Sequence, residues 1–304
     1  MTKILFKDDK QLFKANMHCH TTVSDGKYTP ERIKEMYKEK GYSIVAYSDH
    51  DVLINHSDLN DETFLAINSY EAAINQSLVN VPWSKSKTYH FNLFSDDPDI
   101  TETPPLPDMK YEDTDAINKY IRDRSDEGFL VCYNHPYWSM QTYEDYSKLK
   151  GCFAMEIYNH GCEVTDGYYG YNPQSYDEML RLNNKILCLS TDDNHDIESS
   201  FGGFIMISAD KLNYGSIIES IKKGDYYSSQ GPQIYEISLN DDILRIKCSD
   251  VCLIVVYTDS RACFNTKGES LNEAEFKLKG DEKYIRITCR DKNHKDANSN
   301  AYWL

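Results

Sequence analysis

The chain has 304 residues, 40% of them apolar, enough for one large α/β domain or for such a domain with a small appendage. Its formal net charge of −16 argues against general nucleic-acid binding, and its longest apolar run of membrane character, residues 252–257, is far below the ~20 residues of a spanning helix. Nine Cys, an odd number with no Cys-x-x-Cys, read as reduced, mostly buried thiols of a cytoplasmic protein, and residues 1–10 are too polar for a signal-peptide core.

The first predicted element is a strand over residues 12–20 that ends on His18-Cys19-His20. Side chains alternate along a strand, so His18 and His20 share a face and Cys19 takes the other. Two imidazoles on one face can share a metal ion, but alone the pair weighs no more than two polar strand residues. Thr29-Pro30-Glu31 then opens a helix, with Thr as cap and Pro in the first turn, and Gly41 stops it. A short apolar run over 43–48 leads into Asp49-His50-Asp51. Residues 63–68 form a weaker strand candidate followed by Tyr70-Glu71, and residues 87–94, which include His90, another. Four Pro make 95–112 a loop. A helix over 113–127 ends at Gly128, and the strand over 129–133 runs into Asn134-His135-Pro136. Further strands are expected over 152–158, 186–190 and 204–208, and helices over 173–183 and 214–223.

Short apolar strands alternating with helices are the pattern of a parallel α/β architecture. His20, Asp49-His50, Glu71, His135 and Asp193-Asn194-His195 each fall at or just after an apolar run. In a (β/α) barrel such strand ends converge on one face, where active sites sit. After Gly231-Pro232 the pattern changes to short alternating runs without a helix, the pattern of a small antiparallel β-sandwich-like domain.

Taken together, His18-x-His20 with Asp25, Ser48-Asp49-His50-Asp51, Glu71, His90, Asn134-His135-Pro136 and Asp193-x-His195 resemble the motifs of the polymerase-and-histidinol-phosphatase (PHP) superfamily over residues 12–232. The resemblance implies a distorted (β/α)7 barrel holding two or three divalent metal ions, with Zn, Mn and Fe as candidates, and an activity of phosphoester hydrolysis. Matched position by position, it implies that His18, His20, Glu71 and Asp193 surround one ion. Glu71 would bridge to a second ion completed by His90 and His135, and Asp25, His50 and His195 would hold a third. This chain has Asp25 where some family members have His. The tract Tyr284-Ile285-Arg286-Ile287, Asp291 and 298–304, with the junction 224–232, resembles the two-domain carbaryl-hydrolase-like branch, which includes ester and carbamate hydrolysis.

The expected protein is thus a PHP-type barrel over 1–232 with a small all-β domain over 233–304. The expected function is that of a metal-dependent phosphoesterase, cutting a small phosphomonoester or nucleotide-like compound with a metal-activated water. A carboxylic-ester, carbamate or amide hydrolase on the same residues is the alternative, and a non-catalytic metal-containing binding protein the third reading. His50, Asp193 and His195 are the candidate catalytic residues. Lys27 is the candidate to hold an anionic substrate, ahead of Arg122, Arg124 and Arg181, whose ordinary place is the surface. Asp49, Asp51 and Glu156 are candidates to orient imidazoles from behind. Ordinary readings compete: Glu71 as a helix N-terminal carboxylate, His135 before Pro136 as a turn residue, His56 and His294 as surface or packing groups. The partners expected are small anionic molecules, with no nucleic-acid polymer and no membrane.

Overall fold

The computed structural model describes residues 2–78 and 81–304. The chain opens with β1 (Thr2–Lys7), β2 (Gln11–Asn16), α1 (Pro30–Glu39) and β3 (Ile44–Tyr47). α1 begins where its sequence demands: Thr29 Oγ1 accepts from Arg32 N at 3.3 Å, and Pro30 takes the first turn. Gly41, at φ +77°, supplies the left-handed residue just past its end. Ile33, Met36 and Tyr37 bury the inner face, and an apolar side chain so buried contributes about 1.5–3 kcal/mol. β4 (Leu65–Asn75), β5 (Thr88–Ser95), α2 (Thr114–Asp126), β6 (Phe129–Tyr133) and α3 (Tyr143–Tyr146) follow. Next come β7 (Ala154–Asn159), α4 (His160–Val164), α5 (Pro173–Arg181), β8 (Leu187–Thr191), β9 (Phe204–Ala209), α6 (Tyr214–Lys223) and β10 (Tyr226–Ser229). The chain ends in β11 (Ile234–Asn240), β12 (Ile243–Thr258), β13 (Phe264–Lys277), β14 (Tyr284–Arg290), β15 (Asp296–Ser299) and β16 (Tyr302–Trp303).

The fold is mixed α/β, with few helices on one 16-stranded sheet. β2, β3 and β4 are parallel, as are β6, β7 and β8. β5 lies between the two sets, antiparallel to both β4 and β6. This departs from the expected succession of parallel βα units. No α-helix stands between β4 and β5 among the described residues, and a parallel neighbour usually needs such a crossover. β4 also runs on to Asn75, past the expected end at Asn68, so Glu71 lies within a strand and is not a helix N-terminal carboxylate.

Pairing continues past the nominal ends of β2 and β8. Asp193 N–H donates to His18 O at 2.9 Å and His20 N–H to Asn194 O at 3.2 Å. The last strand of the β2–β8 run is thereby joined to its first. Ala15, Ile44, Ile67, Phe94, Cys132, Ala154 and Leu189, one from each strand of that run, belong to a single buried cluster. A curled sheet with its inner face filled by side chains has this composition.

The sheet is not interrupted near residue 232: β10 pairs with β15, and β1 pairs with β11. β1 is an element that the sequence reading lacked, because Thr2–Lys7 has only three consecutive apolar residues. Phe6 and Tyr227 enter the C-terminal core beside Ile237, Ile246, Ile254 and Ile287. Arg286, fully buried on β14, reaches α5 with a two-pronged pair to Asp177 at 2.6 and 2.7 Å and lies 4.0 Å over the Tyr257 ring. All nine Cys are free, six of them buried. Among the described residues no helix is long and apolar enough to cross a membrane.

Candidate metal centre

His18 and His20 extend β2 beyond its last regular pair, and their alternation brings both buried rings to one side of it. Their Nε2 atoms stand 3.1 Å apart, while Cys19 packs on the other side with Ile33, Tyr37 and Tyr47. Asp193, at the end of β8 with φ +52°, places Oδ1 at 3.0 Å from His20 Nε2 and 3.2 Å from His18 Nε2. Glu71 points inward from the middle of β4. Its Oε1 lies 3.0 Å from His90 Nδ1 on β5 and 3.3 Å from His135 Nε2, which sits just beyond β6. Its Oε2 lies 3.0 Å from His50 Nδ1, from the segment after β3. Asp25 spans the opening, 3.5 Å from His50 Nε2 and 3.4 Å from His195 Nε2.

Three groups of donor atoms result, each with its members within 4.8 Å of one another: His18, His20 and Asp193; Glu71, His90 and His135; and His20, Asp25, His50 and His195. The nine residues expected as ligands are therefore brought together, with His20 shared between two groups. A cation suits this set. His20 Nδ1 is buried with no hydrogen-bond partner, 3.7 Å from Asp25 Oδ1. The donors are imidazole nitrogens and carboxylate oxygens, which suit Zn, Mn and Fe.

Charge is arranged accordingly. Burial works against ionisation of Glu71, but His90 and His18 outweigh it and hold its carboxyl well below the usual range. Burial also opposes ionisation of Asp193, and His18 and His20 likewise overcome it. Burial lowers the His50 imidazole, yet Asp25 and Glu71 raise it to about 10, and His195 is pushed up to about 9 against its own burial, chiefly by Asp25.

The surrounding residues fix the donors. Glu156 accepts from His18 Nδ1 at 2.7 Å, from Thr191 Oγ1 at 2.6 Å and from His135 N at 3.0 Å. That leaves His18 Nε2 facing Asp193 and Glu71. Asp49, expected behind an imidazole, instead ties down the turn after His20, accepting from Thr21 N at 2.8 Å and Ser24 Oγ at 2.7 Å. Asp51, with φ +55°, lines the cleft, and among the described residues its side chain forms no hydrogen bond or ion pair with an imidazole. Lys27 is exposed, with Nζ on Asp196 at 2.9 Å and outside the cleft lining, and Arg122, Arg124 and Arg181 do not line it either.

Sequence reasoning missed several neighbours. Asn134 donates to Glu71 Oε1 at 2.7 Å, and its place beside His135 was a usable signal. Asn159 donates to Asp193 Oδ2 at 3.0 Å and to Glu156 Oε2 at 2.9 Å, a role with no local signature. Asp192 accepts from the N–H groups of Phe201, Gly202 and Gly203 at 2.8 Å each and shapes the return to β9. Trp83 and Trp138 line the cleft of about 510 Å³.

No protein-family model matches the chain, and no curated protein matches it. Among solved structures it is similar to a two-domain protein containing a predicted PHP-like metal-dependent phosphoesterase from Bacteroides vulgatus. The two are 15% identical, the match covers 99% of this chain and 97% of that one, and the TM-score is 0.51. The chain has a PHP-like fold. Looser likenesses include two partial ones. One is to a protein assigned as a metal-dependent phosphoesterase from Bifidobacterium adolescentis, 16% identical over 60% of this chain and 88% of that one, TM-score 0.41. The other is to a lesion-specific endonuclease from Pyrococcus furiosus, 14% identical over 70% of this chain and 56% of that one, TM-score 0.42. On this PHP-like fold the three donor groups lie at the end of the β2–β8 run where β2 and β8 meet.

Proposed function

We propose that the protein is a metal-dependent phosphoesterase of the PHP type, acting on a small anionic ester. The observation that carries the proposal is the convergence of nine donor residues, His18, His20, Asp25, His50, Glu71, His90, His135, Asp193 and His195, in three adjoining groups; seven of them line one open cleft, and His18 and His20 are buried. Two or three divalent ions, with Zn, Mn and Fe as candidates, would be held by the three donor groups. Such ions polarise an ester oxygen and lower the pKa of a water molecule.

The chain's own residues supply the remainder. Glu156 fixes the tautomer and direction of His18, Asn134 positions Glu71, and Asn159 positions Asp193. His50 and His195, with side chains 30% and 40% exposed, are the most exposed imidazoles of the cluster. With two ions bound and the Asp25 group free of metal, they would pass a proton to the leaving oxygen. We read residues 1–232 as a distorted (β/α)7 barrel and 233–304 as an all-β, sandwich-like domain to which β1 adds a strand, in a cytoplasmic enzyme.

Phosphate release from small phosphomonoesters by metal-loaded protein is the test. A His18→Ala/His20→Ala variant that folds and keeps full activity would rule this site out. A second reading, a carboxylic-ester, carbamate or amide hydrolase on the same cluster, is favoured by the lack of Lys and Arg among the described residues lining the cleft. A panel of phosphate and carbamate esters on one preparation separates the two. Less than one ion bound per chain after reconstitution would favour a non-catalytic binding protein instead.

A further inference from the structure

The cleft that holds the donor groups opens into a second one of about 690 Å³, and the two share Trp83, Trp138 and Asp166 in their walls. Trp138 stands edge-on to His135, with centroids 5.0 Å apart, and 5.7 Å from His90. On its far side lies Trp83, 5.9 Å away and inclined at 57°, so the two indoles do not cover each other's faces. Trp83 is 60% exposed and Tyr137 56%, with Met140 and Tyr169 exposed beside them. Tyr137 and Tyr169 meet edge to face at 4.9 Å. Large rings left in water next to a cluster of polar donors form a platform suited to a flat apolar partner.

The charges point the same way. Six carboxylates line the donor cleft, from Asp25, Asp51, Glu71, Asp166, Asp193 and Asp196, and three divalent ions would only match them. No Lys or Arg lines either cleft among the described residues. Beyond the ions themselves, no described residue there neutralises a second phosphate, and among the described residues the aromatic groove has only Asp166 as a charged wall residue.

We propose that the groove beside Trp83 and Trp138 binds an uncharged planar ring on the alcohol side of the substrate. The substrates are then esters with one phosphoryl group and an aromatic or heteroaromatic alcohol portion. This rests on the phosphoesterase reading above: a water oxygen forms the new bond to phosphorus, the ester P–O bond breaks, and the alcohol leaves with a proton.

Naphthylmethyl and butyl phosphonates, which are not hydrolysed and carry equal charge, test the groove by calorimetry on metal-loaded protein. The aryl compound is expected to bind about tenfold more tightly. Trp83→Ala, and separately Tyr137→Ala, should reduce that preference to about twofold, and the matching phosphate esters should differ in KM more than in kcat. Equal binding of the two phosphonates, or a preference that survives both substitutions, overturns the proposal. Preferential binding without phosphate release from either ester would instead defeat the phosphoesterase reading and leave the ring site standing.

Discussion

Glu156 illustrates how a single buried side chain sets the direction of a donor. It is fully buried and accepts from His18, Thr191, Asn159 and the His135 amide. Glu156→Gln keeps the volume but removes the charge that orients the imidazole. Metal affinity should fall by about 10–100-fold with the far-ultraviolet dichroism unchanged, as measured by competition with a chelating dye. Unchanged affinity would show that His18 needs no such partner. His160 makes a separate prediction. Burial, aided by Lys295, lowers its imidazole to about 4. The unfolded chain, with an ordinary imidazole, therefore takes up a proton before the folded one does. Stability from this residue is intact above about pH 6.5 and declines as pH falls toward 4. Between pH 7 and pH 5 the wild type should lose about 1–2 kcal/mol more than His160→Gln in urea unfolding. Parallel losses in the two proteins would contradict it.

At the scale of elements, the turn over 21–26 decides where Asp25 stands. Asp49 accepts four hydrogen bonds from it, two from Thr21 and two from Ser24. Gly26 passes so close to the strand end that a Cβ would lie 2.5 Å from His20 O. Asp49→Ala strands these donors and should cost about 1–3 kcal/mol in chemical denaturation. It should also release Asp25 from His50 and His195, so that metal analysis finds the Asp25 group depleted while the Glu71 group stays filled. Equal loss from both groups would mean that the turn acts on stability alone. β4 and β5 teach a related lesson. Glu71 and His90 sit inside strands, two residues out of register, with Glu71 opposite Asn92 and Ala73 opposite His90. Polar residues at expected strand ends included Glu71, whose strand runs on to Asn75, but not His90. The family resemblance linked His90 to Glu71, because periodicity cannot tell an inward polar residue in a buried strand from an outward one.

At the scale of the whole molecule, the two parts of the sequence behave as one sheet. β10 rests on β15, Cys188 N donates to Asn300 Oδ1 at 3.0 Å, and Arg286 spans from β14 to Asp177 on α5. Arg286→Ala leaves the Asp177 carboxylate without its partner and should cost about 3–5 kcal/mol. Because the contact joins the two parts, tryptophan fluorescence and far-ultraviolet dichroism should shift together in one transition. Two separated transitions would mean that the C-terminal strands unfold independently. Local pattern placed the boundary near 232, where helical periodicity gives way to alternation. It could not show that β1, at the other end of the chain, completes the C-terminal strands.

The sequence by itself determined the four longer helices, α1, α2, α5 and α6, and most strands, through caps, apolar spacing and the residues that end each element. It also determined the donor types and the resemblance to PHP proteins, because His-x-His and Asp-x-His are local patterns. Tertiary structure alone decided the antiparallel course of β5, the pairing of β1, and the grouping of donors around His20. It also decided that Asp49 holds a turn, that Lys27 faces Asp196, and that two indoles flank the cleft. The reason is physical: each of these depends on contacts between residues far apart in the chain, and local propensity carries no record of them.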